Sequence, residues 1–176
     1  MRRSAICLVI VFFMGSQTTA WPQDKTVRPR KLCDGVFAVD RESLRESGVL
    51  PLKDGEVLVV NRHLYLKKGD KEPPRFLVVH SQPDVLLDLA AEPKAVKDGA
   101  EVVRILLKLR PKAARALEQL THDRLGKQVA IVVGGEVVTT HKIREVIKGG
   151  EVQISSCAAG AANYLLEQLQ AHPRNQ

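Results

Sequence analysis

The sequence predicts an α+β fold, in which a mixed or antiparallel sheet carries two main helices packed on one face. Short apolar runs rich in valine and isoleucine, each bounded by glycine, proline or charged residues, are typical of strands. Two longer segments, residues 111–124 and 155–169, instead carry apolar residues at helical spacing. Strands combined with two substantial packing helices favour an α+β domain.

Residues 1–20 have the features of a signal peptide. A basic start precedes an apolar run over residues 5–14, and a small-residue segment ends at Ala20, which favours cleavage there. The apolar run is shorter than the roughly 20 residues that a membrane-spanning helix needs. We therefore expect a periplasmic or secreted protein with no transmembrane domain in the mature chain. Retention of the leader as an uncleaved anchor is the alternative.

Residues 21–35 are polar and basic and are predicted to form a flexible N-terminal arm. A single domain is expected over residues 36–172, followed by a polar tail at 173–176. The net charge of +7 is compatible with an acidic or anionic-lipid partner, or with ordinary solubilising charge. Aromatic residues make up only 4% of the chain and form no stacking platform, so we expect no nucleic-acid partner.

The first half of the domain holds apolar runs that we predict as strands, at residues 36–39, 56–60, 63–66 and 76–80. A capped helical turn is expected over residues 40–44, ending at Gly48. Ser81 and Asp84 resemble a capping box, which predicts a helix that continues to residue 91.

The second half opens with residues 101–109, the best long strand, and with a helix that Pro111 starts and Gly126 follows. The last helix is expected to begin near Ser155 or Ser156 as a cap. The apolar stripes of these helices are Ala113, Ala116, Leu117 and Leu120 in the first, and Ala158, Ala162, Leu165, Leu166 and Leu169 in the second.

Between the helices, the pattern predicts strand, strand, short helix and strand. Two β-branched runs flank Gly134 and Gly135, which can take the positive φ that a tight hairpin turn requires. Residues 142–148 place apolar side chains at helical spacing, and Gly149 and Gly150 are expected to end that helix before a strand at 151–154.

Residues 121–155 resemble the head of the first periplasmic domain of SecD, a membrane subunit that assists protein export. The resemblance is densest over residues 112–170 and extends back to Tyr65. It is carried by Leu120-Thr121, Gly126-Lys127, Ala130-Ile131-Val132, Gly134-Gly135, Val137-Val138, Ile143-Arg144-Glu145, Ile147 and Gly149-Gly150. The family usually has an acidic residue where Gly134 stands and a proline where Thr140-His141 stand.

Residues typical of catalysis and metal binding are scattered. His63, His80, His122, His141 and His172 show no ligand-like spacing, so no metal or cofactor is expected. His80-Ser81 lacks a nucleophile elbow, and neighbours on a strand point to opposite faces.

Cys33 and Cys157 form an even pair, which in an oxidising compartment indicates a disulfide bond or two separate buried thiols. Cys157 near a helix N-terminus is also a candidate nucleophile.

The resemblance implies a non-enzymatic exported domain that binds polypeptide or an envelope protein and is accessory to protein export. The expected partner is the translocase or an exported chain, bound at an exposed sheet edge or in a groove beside the hairpin. The alternatives are an envelope structural protein, or a secreted enzyme with a dispersed site such as His80, Ser81, His141 and Cys157.

Overall fold

A computed structural model describes residues 32–62, 73–98, 102–156 and 159–171. The predicted leader, most of the predicted arm, the strand expected at 63–66 and the tail lie outside the described residues. The end of the arm reaches the fold, because Leu32 is buried and Gly35 begins the first strand.

The described strands form three antiparallel sheets. The central sheet has the order β5-β1-β8-β9, with β1 Gly35–Ala38, β5 Val85–Leu86, β8 Gln128–Val133 and β9 Glu136–Lys142. The small sheet has the order β2-β4-β3, with β2 Arg41–Ser43, β3 Glu56–Asn61 and β4 Arg75–His80. The third sheet has the order β10-β7-β6, with β6 Lys94–Asp98, β7 Val102–Lys108 and β10 Glu151–Ser156.

Two α-helices are described, α1 Pro111–Asp123 and α2 Ala159–Ala171, together with a short 3₁₀ helix at Glu46–Gly48. Pro111 stands at the start of α1, as predicted, where its missing N–H costs no helical hydrogen bond. Buried side chains of both α-helices join one core, so both pack on the same side of the central sheet.

The central sheet is buried on both faces. In β1, Val36 and Ala38 point into a large core with the helices and β7, whereas Phe37 points into a smaller core against the small sheet. In β8, Ile131 and Val132 point into these two cores in the same way. Burial on both faces explains why β8 is a continuous apolar run rather than an alternating one.

The predicted hairpin is confirmed. Gly134 and Gly135 have φ of 65° and 85°, which a type I′ turn requires at both central residues. The register pairs Val133 with Glu136, and a β-bulge lies between Ile131 and Val132.

The helix predicted over residues 142–148 is wrong. Strand β9 extends to Lys142, and the following segment has no helical hydrogen bonds among the described residues. Ile143 instead exchanges backbone hydrogen bonds with the end of the α1 loop, since Gly126 N–H donates to Ile143 O (2.9 Å) and Ile143 N–H donates to Lys127 O (2.8 Å).

The helix predicted over residues 81–91 is also wrong. Val85 and Leu86 pair with Val36 and Gly35 as strand β5. Asp84 does not cap a helix, because its Oδ2 accepts a hydrogen bond from the N–H of Ala38 at 2.7 Å. A long-range strand pairing therefore replaces the local helix.

Three smaller differences concern element ends and an edge strand. Strand β10 extends to Ser156, so neither serine caps α2, which begins at Ala159. The turn expected at 40–44 is strand β2 followed by the 3₁₀ helix. Strand β6 was not predicted. The fold combines strands with two helices, as expected, but it is predominantly β and has three sheets where one was predicted.

Candidate functional site: a groove beside the hairpin

An open groove of about 370 Å³ lies beside the hairpin, between the end of β9, helix α1 and strand β10. Its volume is within the usual range of ligand sites. The lining residues are Val36, Leu117, Thr121, Val129, Ile131, His141, Lys142, Ile143, Arg144, Glu145, Ile147, Glu151, Val152 and Gln153.

The floor of the groove is apolar. Leu117 of α1, Ile131 of β8 and Val152 of β10 are buried members of the large core, and each also borders the groove. The floor is therefore an extension of the core to the surface, which favours apolar ligand groups.

One wall of the groove is the segment 143–147, which long-range hydrogen bonds hold in place. Its start is fixed by the two backbone bonds of Ile143. Its end is fixed because the N–H of Ile147 donates to Thr121 Oγ1 at 3.0 Å. Thr121 is only 1% exposed and its hydroxyl donates to the carbonyl oxygen of Leu117 at 2.8 Å. The wall is thus attached to helix α1 through a buried side chain.

Beyond this wall, two glycines lead into strand β10. Leu109 N–H donates to Gly150 O at 2.9 Å. Gly150 has a φ of 70°, and a Cβ at this position would lie 2.4 Å from the Cβ of Ala114. Gly149 has a φ of 76° with open space around it. Only glycine therefore fits the close approach of residue 150 to helix α1.

The rim of the groove is polar and its charges are balanced. Two exposed basic residues, Lys142 and Arg144, and two exposed acidic residues, Glu145 and Glu151, line the groove. Glu151 Oε1 accepts a hydrogen bond from Lys108 Nζ at 2.9 Å, and this contact lowers the pKa of Glu151. The rim therefore does not select a ligand of one charge sign.

His141 stands at the end of β9 on the rim. Its Nε2 lies 3.2 Å from Thr139 Oγ1, and partial burial of the ring lowers its pKa below the ordinary value of 6.5. The lowered pKa favours the uncharged form of this histidine near neutral pH.

Of the candidate catalytic residues that the structure describes, His141 alone lines the groove. His80 pairs with Asp40 at the end of β4, with Nε2 and Oδ2 3.3 Å apart. The N–H of Ser81 donates to Gly55 O at 2.9 Å. Cys157 lies outside the described residues. No group of three or more candidate metal ligands occurs in the described part of the chain.

Cys33 is exposed and forms no disulfide bond with another described residue. Because its expected partner, Cys157, lies outside the described residues, the disulfide stays a prediction that mass analysis of the unreduced chain tests. The glycines predicted to mark turns all have positive φ, namely Gly126, Gly134, Gly135, Gly149 and Gly150.

The groove residues were not predicted individually. The one local signal was the helical spacing of Ile143 and Ile147. That spacing was real, but it reflects two side chains packed on the large core from an irregular segment.

A model of the family described as SecDF, P1 head subdomain, matches residues 65–172. This chain belongs to the SecDF P1 head family. The resemblance seen in the sequence is thereby confirmed. The SecDF P1 head segment supplies every residue that lines the groove except Val36.

Two relatives place this SecDF P1 head domain in context. The protein translocase subunit SecDF of Thermus thermophilus is 33% identical over 69 residues, which are 39% of this chain and 9% of that protein. A solved structure of a membrane component SecDF that enhances protein export has a TM-score of 0.50 and 24% identity, over 84% of this chain and 66% of that one. The second likeness shows the fold alone.

The chain therefore matches only a small part of the translocase subunit. Within the described residues, no helix has the length and apolar character needed to cross a bilayer.

Proposed function

We propose that this chain is an exported, non-enzymatic domain that binds polypeptide in the groove beside the hairpin, as an accessory to protein export. The periplasm or the extracellular space is the proposed location, reached through the signal peptide at residues 1–20. The proposed occupant is an exported chain, or a segment of the translocase, in an extended conformation.

The observation that carries this proposal is the chemistry of the groove. An apolar floor takes up apolar side chains, and a rim with balanced charge tolerates varied neighbours. A domain that meets many different exported chains needs such a surface, because it has to recognise what unfolded polypeptides share. Family membership supports the link to export, since relatives with this head are named for protein translocation and export.

The arrangement of reactive side chains supports a binding role over an enzyme. His141 lies at the groove, but His80 pairs with Asp40 beside the small sheet. The backbone N–H of Ser81 donates a hydrogen bond to the carbonyl oxygen of Gly55. Among the described residues, the hydroxyl that pairs with His141 is that of Thr139, which does not line the groove. We therefore propose no cofactor, metal or catalytic residue.

Site-specific photo-crosslinking in the intact cell envelope tests this function. A photoreactive residue at Arg144, on the groove rim, is expected to capture exported chains or the translocase. The same residue at Arg45, which is exposed on the small-sheet side and does not line the groove, serves as the matched control. Capture of no polypeptide at position 144, or equal capture at both positions, would contradict the proposal.

A further inference from the structure

Strand β10 lies at the end of its sheet, with β7 as its one partner strand among the described residues. An edge strand presents backbone N–H and C=O groups on its outer side, and these groups can pair with an added strand. We infer that a bound polypeptide joins the β10-β7-β6 sheet as a further strand beside β10, and is held through its backbone. This inference rests on the proposed function and specifies how the groove recognises its ligand.

The outer edge of β10 borders the groove. Glu151, Val152 and Gln153 are consecutive and all line it. Their side chains alternate, since Val152 is buried in the large core and the two flanking residues are exposed. Consecutive strand residues that point to opposite faces can line one cavity when the edge of the strand forms its border.

The hydrogen bonds of the sheet define which backbone groups face the groove. Leu109 N–H donates to Gly150 O at 2.9 Å, next to the register pair Glu151 and Lys108. Hydrogen-bonded and non-hydrogen-bonded pairs alternate along an antiparallel ladder. Val152 therefore bonds toward β7, and the N–H and C=O of Glu151 point away from β7.

The opposite side of β7 gives the same result. The carbonyl of Lys108 accepts a hydrogen bond from Ala90 N–H at 2.7 Å, on the side of β7 away from β10. Lys108 therefore does not direct that carbonyl toward Glu151. The backbone of Glu151 is left directed at the groove, where an incoming residue can exchange two hydrogen bonds with it.

This geometry specifies the ligand. A ligand residue opposite Glu151 has its side chain on the outer face, so its two neighbours point into the apolar floor beside Val152. The preferred ligand is an extended segment with apolar residues at every second position. The balanced rim charges place little demand on the residues between them.

The test uses the purified mature chain and a fluorescent peptide in which valine alternates with serine. The peptide has about eight residues, which is within the usual length of a strand. Two further peptides carry backbone N-methyl groups, one on every serine nitrogen and the other on every valine nitrogen. An added strand directs only every second N–H at its neighbour, so only one of these peptides should lose affinity, by about tenfold or more. If the peptide methylated at serine loses affinity, the added strand is antiparallel to β10. If the peptide methylated at valine loses affinity, the added strand is parallel to β10.

The outcomes separate this inference from the proposed function. If the unmethylated peptide does not bind, polypeptide binding in the groove fails. If it binds and both methylated peptides keep or lose affinity equally, strand addition is overturned while polypeptide binding stands. A dimer of the chain that the peptide dissociates would show that a second copy occupies the edge, which also overturns the inference.

A pair of protein variants gives an independent readout. Glu151→Pro removes an N–H that the β10-β7 ladder does not use, as edge strands tolerate. This variant is expected to bind the unmethylated peptide with about tenfold lower affinity than the wild type. Glu151→Ala removes the same rim carboxylate and Lys108 ion pair but keeps the N–H, so its affinity for the peptide should be about fivefold higher than that of Glu151→Pro. Equal affinities of the two variants would contradict recognition through the Glu151 backbone, and the methylated peptides decide the matter if the proline variant does not fold.

Discussion

The N–H of Ile147 donates a hydrogen bond of 3.0 Å to the buried hydroxyl of Thr121, which joins the wall of the groove to helix α1. Thr121→Val keeps the shape of the side chain but leaves this N–H without its acceptor. We expect a loss of about 1–3 kcal/mol in the free energy of unfolding and faster amide exchange at Ile147. Thr121→Ser keeps the hydroxyl and serves as the control. Unchanged exchange at Ile147 in the valine variant would show that the wall is held by other contacts.

The two glycines before β10 form a matched pair. Gly149→Ala places a side chain in the left-handed region with open space around it, so it should cost about 1–2 kcal/mol. Gly150→Ala adds a collision with Ala114 and should cost about 1–3 kcal/mol more. Denaturant unfolding of both variants measures the difference. Equal destabilisation would mean that α1 moves away without cost.

The lowered pKa of His141 predicts a pH dependence. In the unfolded chain this ring takes up a proton near pH 6.5, whereas in the folded chain partial burial delays protonation to lower pH. Protonation therefore favours unfolding, and His141 lowers stability as the pH falls below 6.5 and has no such effect above it. His141→Gln removes this contribution. Its stability relative to the wild type should improve from about pH 7.5 to about pH 5.5.

The pH range in which His141 changes the stability is separate from the range in which the carboxylates do so. Hydrogen bonds from Arg41 and from Lys108 lower the pKa values of Glu56 and Glu151, respectively, below 4.5. Their stabilisation is present above that pH and is lost as the pH falls through the lowered values. A difference between His141→Gln and the wild type that does not change between about pH 7.5 and about pH 5.5 would contradict the role given to His141.

Asp84 supports β1 from the loop before β5. Its Oδ2 accepts a hydrogen bond from the N–H of Ala38, a residue that is 1% exposed. Asp84→Ala leaves this N–H unsatisfied and should cost about 1–3 kcal/mol, with faster exchange of the Ala38 amide. Asp84→Asn keeps an oxygen acceptor and should cost less. Loss of helical circular dichroism without a change at Ala38 would instead support the cap that the sequence indicated.

Elements with local causes were predicted well. The hairpin follows from two β-branched runs around Gly134 and Gly135, and both glycines have the positive φ that the turn needs. Helix α1 follows from its apolar stripe and from Pro111 at its start. Each of these signals acts between residues that are close in the chain, so the chain segment contains all the information that it needs.

Elements that depend on distant partners were missed. Strand β6 has exposed side chains at Lys94 and Val96, so no apolar alternation marks it, and its backbone bonds to β7 create it. Residues 81–91 carry cap-like residues, yet pairing with β1 and the bond to Ala38 replace the helix. In both cases the interaction that decides the structure comes from a distant segment of the chain, which the local sequence pattern does not contain.

The hairpin, the first helix and membership in the SecDF P1 head family can all be read from the order of residues, because turn geometry, helical periodicity and family motifs are local properties. The groove cannot. Its floor combines Val36, Leu117 and Val152, which lie far apart in the chain, and its wall depends on the bond between Thr121 and Ile147. Packing of the central sheet against α1 and β10 brings these residues together, and burial of the large core stabilises that arrangement.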